Sequence, residues 1–290
     1  MKNIFSIQSH AVFDYAGNTA ALFLMWQLGA KVWPLNTVQL SNYIQYGYWL
    51  ISIMPKDHPI DIVCRISDIN WLETCGAVLS GCFGSVEQQE AILESVRVVK
   101  EANHKAWYFC DQVIGRTQQE CVVESGIEQF HTKGSLLKSD IVVPNFLYLE
   151  ILSSQCRVKN VHEAITVDHV CIFQGIKIFF IKKLSPEGFY RDQLEVLLVS
   201  ADQIWHISRA LIDFGFYELA GMDDLTNSML FVNLLYSFYL KSAMGRVAED
   251  LYTVILQTYH MGDCELQLVV EQQDIVEPTI NFTAVKALLL

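Results

Sequence analysis

The sequence has few basic residues, with 20 Lys and Arg against 32 Asp and Glu, so its formal net charge is −12. Non-specific binding to nucleic acid or to an anionic membrane depends on a surplus of Lys and Arg. The charge balance therefore argues against both kinds of partner. A small anionic molecule can still bind where backbone N–H groups and a few basic side chains create a local positive field.

The sequence also lacks long hydrophobic runs. A membrane-spanning helix needs about 20 consecutive apolar residues, whereas the most apolar window, residues 229–240, is interrupted by Asn233 and Ser237. The N-terminal segment MKNIFSIQSH has one lysine and few apolar residues before Gln8, which is not typical of a secretory signal peptide. We therefore expect a soluble cytoplasmic protein.

None of the eight cysteines belongs to a Cys-x-x-Cys pair, so no zinc site of the usual spacing is expected. Several cysteines lie in apolar segments such as WYFCDQV and DHVCIF, which favours buried, reduced thiols. What the chain does have is apolar content: 52% of its residues are hydrophobic and 18% are charged. This composition is typical of a packed globular protein and excludes extensive disorder.

Short apolar segments typical of strands alternate with segments of helical periodicity, and no internal repeat or linker is evident. Although 290 residues could form two domains at roughly 150 residues each, one α/β domain of this length is common. The alternation predicts a single domain, residues 1–290, in which helices cover both faces of a central, mostly parallel sheet.

The predicted strands are residues 3–8, 31–36, 76–80, 106–111, 140–144 and 177–182, with an antiparallel ribbon at 193–200 and 205–208. Helices are predicted at 19–28, at 87–102, from 224 to about 259, and more briefly near 264–276. Right-handed crossovers bring the carboxyl ends of parallel strands to one edge, where ligands bind. The polar residues expected at that edge are Ser9, Asn36, Ser80, Asp111, Asn145 and Lys182.

The segment AGMDDLTNS, residues 220–228, leads into the longest predicted helical region. A helix N-terminus presents unpaired N–H groups and a partial positive charge, and Gly221 allows an anion to approach the backbone. Asp224, in the first turn, is placed to accept a proton from an attacking hydroxyl group. The simpler alternative is that Asp224 caps the helix by accepting a hydrogen bond from a nearby N–H.

Six segments follow one another along the chain: IQSHAVFDYAGNTAA, VWPLNTVQLSNYIQYGYW, AVLSGCFGS, YFCDQVIG, DIVVPNFLYLEIL and IWHISRALIDFG. In order and spacing they resemble the pyridoxal kinase family of ribokinase-like small-molecule kinases. The resemblance extends from residue 2 to about residue 270 and is strongest to the bacterial branch called pyridoxal or pyridoxamine kinase Y. It implies a three-layer α/β/α sandwich with a small β ribbon over the site, and a homodimer.

The resemblance further implies ATP-dependent phosphorylation of the 5′-hydroxymethyl group of pyridoxal and related B6 vitamers, with Mg²⁺. It makes Asp224 the catalytic base, and Gly221, Met222 and Asp223 the anion hole. The implied substrate-binding residues are Ser9, Ile44, Gln45 and Asp224. The implied ATP-binding residues are Asp111, Val143, Tyr148, Lys182, Arg209, Ala210, Leu211 and Ile212, and Asp111 also lies near the metal.

Each of these residues also has a structural interpretation. Ser9 and Asp111 can simply stabilise turns, Lys182 can be a solvated lysine beside Lys183, and Arg209 can form a surface ion pair with Asp213. Residue type alone leaves both interpretations open.

The sequence departs from the family at several motifs. The Gly-x-Gly-Asp motif is Gly221-Met222-Asp223-Asp224, and the Asn-x-x-Glu motif ends at Tyr148. Asp223 therefore places a negative charge near the phosphate. At about 5 Å and an effective dielectric of about 20, one like-charge pair costs about 3 kcal/mol. If this cost falls on the transition state, the reaction is slowed about a hundredfold. A metal ion held by Asp223 would reverse that effect. The other departures are Ile44 for Thr, Asp14 for Gly, Cys82 for Tyr and Gln112 for Pro.

Two alternatives to a pyridoxal kinase follow from these departures. Ile44 and Cys82 alter the implied ring pocket, which suggests a kinase for another small alcohol such as a hydroxymethylpyrimidine. Asp223 and Tyr148 alter the phosphate and metal sites, which suggests a vitamer- or nucleotide-binding protein with weak catalysis.

Overall fold

A computed structural model describes residues 3–43, 46–112, 138–144, 149, 163–167, 172, 175–182, 193–210, 219–237, 239–270, 272–277 and 282–286. Ten strands in these ranges form one sheet. They are β1 (Asn3–Ala11), β2 (Lys31–Leu40), β3 (Ile51–Ile53), β4 (Cys75–Ser80), β5 (Trp107–Gln112), β6 (Ile141–Pro144), β7 (Ile178–Lys182), β8 (Gln193–Ser200), β9 (Ile204–Ala210) and β10 (Val285–Lys286). The helices are α1 (Asn18–Gln27), α2 (His58–Asp68), α3 (Val86–Ala102), α4 (Met222–Ser237), α5 (Leu240–Met261) and α6 (Gln272–Val276).

The strand order is β10-β9-β8-β7-β6-β5-β4-β1-β2-β3. The six strands from β7 to β2 in this order pair in parallel, while β3 is antiparallel at one end and β8, β9 and β10 are antiparallel at the other. The predicted α/β class with a mostly parallel sheet is confirmed. The predicted antiparallel ribbon is β8 and β9, which continue the central sheet beyond β7.

Helices cover both faces of the sheet because successive strand residues point to opposite sides. On one face, Ile4, Leu79 and Phe109 pack with buried residues of α1, α4 and α5. On the other, their neighbours Phe5, Val78 and Tyr108 pack with α2 and α3. The result is the three-layer α/β/α sandwich that the sequence predicts.

The ends of β1 and β2 form a small β extension at the carboxyl edge of the sheet. Pairing between β1 and β4 stops at Ile7 and Ser80, yet β1 continues to Ala11 beside β2. There β3 pairs with Val38–Leu40 of β2. This extension borders the edge at which the polar strand ends meet.

Two regions differ from the predicted elements. Helix α2 was not predicted, because only Pro59 and Val63 of it are buried and its apolar pattern is short. The helix predicted near 264–276 is formed only at Gln272–Val276. Before it, Asp263 Oδ1 accepts hydrogen bonds from the backbone N–H groups of Cys264 and Glu265, and such local bonds compete with helix formation.

The cysteine prediction is correct in part. Five described cysteines are free thiols, and Cys75 and Cys110 are buried as expected, but Cys64 and Cys264 are exposed. Cys64 lies on α2, whose solvent-facing side the sequence did not reveal. Within the described ranges, no helix combines the length and the apolarity that crossing a membrane requires.

Candidate active site

Strand periodicity directs two charged side chains toward the start of α4. Phe109 of β5 and Phe180 of β7 belong to the core on the α4 face. Asp111 and Lys182 each lie two residues further along the same strand and therefore point to the same face. Both strands run parallel to β6, so the two side chains lie at the carboxyl edge, as predicted.

Two carboxylates pair with the Lys182 ammonium group, and the charge of a third, Asp224, acts on the same cluster. Lys182 Nζ lies 3.6 Å from Asp111 Oδ1 and 3.7 Å from Asp223 Oδ1. Burial raises the pKa of Asp111 to about 7; the Lys182 charge lowers it, while the negative charges of Asp224 and Asp223 raise it further. Asp111 and Lys182 are therefore neither turn-stabilising nor solvated residues, since their side chains are only 4% and 10% exposed.

Asp224 is held by a segment far from it in sequence. The Gly17 N–H donates a hydrogen bond of 2.8 Å to Asp224 Oδ2. Burial raises the pKa of Asp224 to about 6. The Gly17 hydrogen bond and the Lys182 charge lower this pKa but do not offset the effect of burial. Because α4 begins at Met222 and the bond comes from another segment, Asp224 is not the helix cap of the simpler interpretation. Its carboxylate is fixed at the helix N-terminus with a pKa near neutrality.

Two glycines shape the backbone around this carboxylate. Gly221 has φ +72°, and a Cβ atom there would lie 1.6 Å from the Tyr15 carbonyl oxygen. Gly17 has φ +62°, and a Cβ atom there would lie 2.1 Å from the Ser9 carbonyl oxygen. The first bond of the α4 ladder runs from the Leu225 N–H to the Gly221 carbonyl. The amides of Met222, Asp223 and Asp224 therefore precede the ladder, as an anion-binding helix start requires.

A buried polar network behind this turn was missed from the sequence. Ser6 Oγ donates to Asn18 Oδ1 at 2.8 Å and accepts from Gln8 Nε2 at 2.9 Å. Asn18 Nδ2 donates to Asn36 Oδ1 at 2.8 Å and to the Leu35 carbonyl at 3.1 Å. Asn18 directly follows Gly17, so the network fixes the turn that holds Asp224. The available signal is the Gly-Asn pair at the start of α1, which by itself indicates only a turn.

The other predicted residues are placed as follows. Ser9 is buried in β1. Its hydroxyl group lies beside Gly17, since a Cβ atom added to that glycine would be 2.7 Å from Ser9 Oγ. Ser9 therefore lies next to the turn that holds Asp224. Val143 pairs with Asp111 across β5 and β6, but its side chain is in the core. Arg209 and Ala210 end β9, where the backbone alone is described. The predicted residues Ile44, Gln45, Tyr148, Leu211 and Ile212 lie outside the described residues, as do Lys183 and Asp213.

Backbone structure explains the altered position Asp14 and describes the surroundings of a second, Cys82. Asp14 has φ +79°, a region that glycine enters without strain. Its Oδ1 accepts a hydrogen bond from the Tyr15 N–H at 2.7 Å, a local bond that supports an aspartate in this conformation. Cys82 follows β4 at the carboxyl edge, and its carbonyl accepts a 2.7 Å hydrogen bond from Thr37 Oγ1.

The site has one feature that fits a hard cation. Asp111 Oδ2 is buried without a hydrogen-bond partner, and a carboxylate oxygen is the donor that Mg²⁺ prefers. In the described part of the chain, no three His, Cys, Asp or Glu side chains converge to hold a metal by themselves. Mg²⁺ is commonly bound by one or two carboxylates and completed by substrate phosphates. The residues present therefore fit a metal that arrives with a phosphate ligand.

Comparison with protein families and solved structures identifies the fold. No family model matches the chain. Among solved structures, pyridoxal kinase from Leishmania donovani in complex with ADP and pyridoxamine is similar, with a TM-score of 0.88 and 22% sequence identity over 99% of this chain and 100% of that chain.

Two further structures share the fold. Pyridoxal kinase from Entamoeba histolytica has a TM-score of 0.84 and 19% identity over 99% of this chain and 100% of that chain. A protein from Bacteroides thetaiotaomicron, described as a phosphomethylpyrimidine kinase, has a TM-score of 0.86 and 15% identity over 99% and 98%. The chain thus has the fold of pyridoxal kinases from end to end.

Proposed function

We propose that the protein transfers the γ-phosphoryl group of ATP to the 5′-hydroxymethyl group of pyridoxal and related B6 vitamers. The observation that carries this proposal is the Asp224 carboxylate, held by the Gly17 N–H at the N-terminus of α4. A base is most effective when its pKa lies near the working pH, and the pKa of Asp224 is about 6. The fold shared with structures that contain ADP and pyridoxamine supports the same function.

In the proposed reaction, the vitamer hydroxyl oxygen forms a bond to the γ-phosphorus while the bond to the β–γ bridging oxygen of ATP breaks. The hydroxyl proton passes to the Asp224 carboxylate, and ADP leaves with the bridging oxygen. The amides of Gly221, Met222 and Asp223 stabilise the charge on the phosphoryl oxygens, since phosphoryl transfer depends on positioning and charge neutralisation. Asp111 holds Mg²⁺, which neutralises the phosphates when bound.

The remaining proposed contacts follow the sequence resemblance. Ser9, Ile44 and Gln45 bind the vitamer, and Asp224 lies at its reactive hydroxyl. Lys182 neutralises phosphate charge, and the nucleotide is bound by Asp111, Val143, Tyr148, Arg209, Ala210, Leu211 and Ile212. We also propose a single domain over residues 1–290, a homodimer and a cytoplasmic location. Light scattering tests the dimer directly, because a monomeric mass would contradict it.

The decisive experiment measures formation of pyridoxal 5′-phosphate from ATP, Mg²⁺ and pyridoxal by the wild type and by Asp224→Ala. Removing a general base typically costs 10²–10⁴-fold in rate, so we expect a loss of about a thousandfold. Asp224→Asn is the matched variant, since it keeps the shape and removes the basic oxygen. Equal rates in the wild type and both variants would remove Asp224 from the catalytic role.

A second candidate is a kinase for a hydroxymethylpyrimidine. Cys82 in the carboxyl-edge loop and the likeness to the Bacteroides structure favour it. ADP release measured across a panel of alcohols separates the two functions. Preference for pyridoxal would end this alternative.

A third candidate is a binding protein with little catalysis, which Asp223 beside Lys182 favours. It predicts that pyridoxal binds, measured by calorimetry, while no phosphorylated product forms. Robust turnover at neutral pH would exclude it.

A further inference from the structure

Asp223 brings an additional carboxylate to the proposed phosphate site. Its Oδ1 lies 3.7 Å from Lys182 Nζ, and Asp111 Oδ1 lies 3.6 Å from the same ammonium group. The Lys182 side chain is 10% exposed, whereas that of Asp223 is 49% exposed. One buried lysine is therefore shared by a buried carboxylate and by a carboxylate at the mouth of the site.

The charges at this site disfavour a phosphate ligand that arrives alone. Among the side chains described here, Lys182 pairs with Asp111 and Asp223, and its charge also acts on Asp224, so the carboxylates near this ammonium group outnumber it. A metal-free nucleotide must displace Asp223 from Lys182 and also approach the carboxylates that remain. Like charges placed together in a partly dry site oppose binding strongly.

A divalent cation removes this conflict. Asp111 Oδ2 is buried and has no hydrogen-bond partner, so it can accept a cation without giving up another bond. A divalent cation held by Asp111 would supply two positive charges where the described side chains have an excess of negative charge.

We propose, building on the kinase function above, that Asp223 makes nucleotide binding depend on a divalent cation. In the absence of metal, its carboxylate pairs with Lys182 and competes with the nucleotide phosphates for that ammonium group. When the metal and the nucleotide bind together, the cation compensates the carboxylates. The site therefore selects nucleoside di- and triphosphates that carry a bound divalent metal over the free nucleotides.

The experiment is calorimetric titration of the full chain with ADP, in Mg²⁺ and in EDTA. The measured quantity is the ratio of the ADP Kd in EDTA to the ADP Kd in Mg²⁺. Asp223→Asn is expected to lower this ratio on the order of tenfold, within the usual range for coupled ligands, through tighter binding in EDTA. By linkage, the affinity of the ADP complex for Mg²⁺, relative to that of the free protein, changes by the same factor.

Asp202→Asn is the matched control. It removes one negative charge from the turn between β8 and β9. This turn lies at the far end of β7 from Lys182, because Ser200, just before the turn, pairs with Ile178. It is expected to leave the ratio unchanged. Adenosine is the uncharged probe, and its affinity should be the same in the wild type and in Asp223→Asn.

Several results would overturn the inference. One is an equal ratio in the wild type and Asp223→Asn. Another is a lower ratio caused only by weaker binding in Mg²⁺, because Asp223 would then be a simple metal ligand. A matching change in adenosine affinity would also overturn it, because it would show a general structural effect. Asp223→Gly, which removes the side chain fully, repeats the measurement in a second variant. Failure of the wild type to bind ADP in either condition would overturn the kinase function as well, whereas unchanged metal dependence in Asp223→Asn overturns this inference alone.

Discussion

At the amino edge of the sheet Asp140 has two lysine partners, whereas at the carboxyl edge Asp111 shares one lysine with two other carboxylates. Asp140 forms ion pairs of 2.8 Å with Lys100 and 2.6 Å with Lys177, and it accepts a hydrogen bond from the Tyr108 N–H. Burial alone would raise the pKa of Asp140, but these partners together lower it. Burial raises the pKa of Asp111 to about 7, because one ammonium group does not offset it.

The difference separates a structural carboxylate, Asp140, from the carboxylate that we propose to be functional, Asp111. Asp140 directly precedes β6 and bonds to Tyr108 of β5, to Lys100 of α3 and to Lys177 just before β7, so it stabilises the starts of those strands. Asp111 keeps one buried oxygen without a partner, an arrangement that costs stability unless a ligand completes it. Proteins often accept such a cost at functional sites. Substitutions at equivalent positions of the two edges test this interpretation.

The largest expected effect comes from glycines that have similar backbone angles at opposite edges. Gly29, in the turn before β2, has φ +79° and open space where a Cβ atom would lie, whereas a Cβ atom on Gly221 would lie 1.6 Å from the Tyr15 carbonyl. Gly29→Ala should cost about 1–2 kcal/mol from the left-handed backbone alone. Gly221→Ala should cost about 4 kcal/mol or more and abolish the kinase activity. Chemical denaturation measures the free energy of unfolding of both variants, and the pyridoxal assay measures their activity. Equal destabilisation of the two variants would mean that the Tyr15 contact is unimportant.

The next effect is on activity. Asp111→Asn removes the charge proposed to hold the metal and should lower the rate about a hundredfold. Asp140→Asn, the same chemical change at the other edge, should retain most of the rate at a temperature where the protein is folded. Rates of pyridoxal 5′-phosphate formation at saturating Mg-ATP provide the measurement. Comparable losses in both variants would contradict the assignment of separate roles to the two edges.

The carboxyl-edge half of this contrast was accessible from the sequence, whereas the ion pairs of Asp140 were not predicted. Alternating apolar segments located the parallel strands, and the rule that ligands bind at their carboxyl ends brought Asp111 and Lys182 together. The resemblance pointed to Asp224. The bond from Gly17 to Asp224 was not predictable, since it joins residues 207 positions apart and depends on the packing of the segment before α1 against the start of α4. The ion pair between Asp223 and Lys182 also depends on tertiary packing that no local pattern encodes.

Stability should change in opposite directions at the two edges. Asparagine mimics a protonated aspartate, so Asp111→Asn should raise the free energy of unfolding by about 2 kcal/mol at pH 8, where the wild-type carboxylate is charged. Asp140→Asn should lower it by about 2 kcal/mol, because bonds to two lysines are weakened. Denaturant unfolding without metal or nucleotide gives both values. Destabilisation by Asp111→Asn would show that its pairing with Lys182 outweighs the cost of burial.

The pH dependence of these two differences sharpens the comparison furthest. The folded-state pKa of Asp111 lies near 7, above its usual value of 3.8, so its destabilising charge is absent at about pH 4 and complete above about pH 7. The advantage of Asp111→Asn should therefore develop between those values.

The folded-state pKa of Asp140 lies below 3.8, so its stabilisation is present above that value and is lost as the pH falls through the folded-state pKa. Near pH 5, Asp140→Asn should retain most of its deficit while Asp111→Asn has lost much of its advantage. Unfolding in EDTA at pH 5, 6.5 and 8 measures both, and parallel curves for the two variants would show that the carboxylates do not differ in the way their partners indicate.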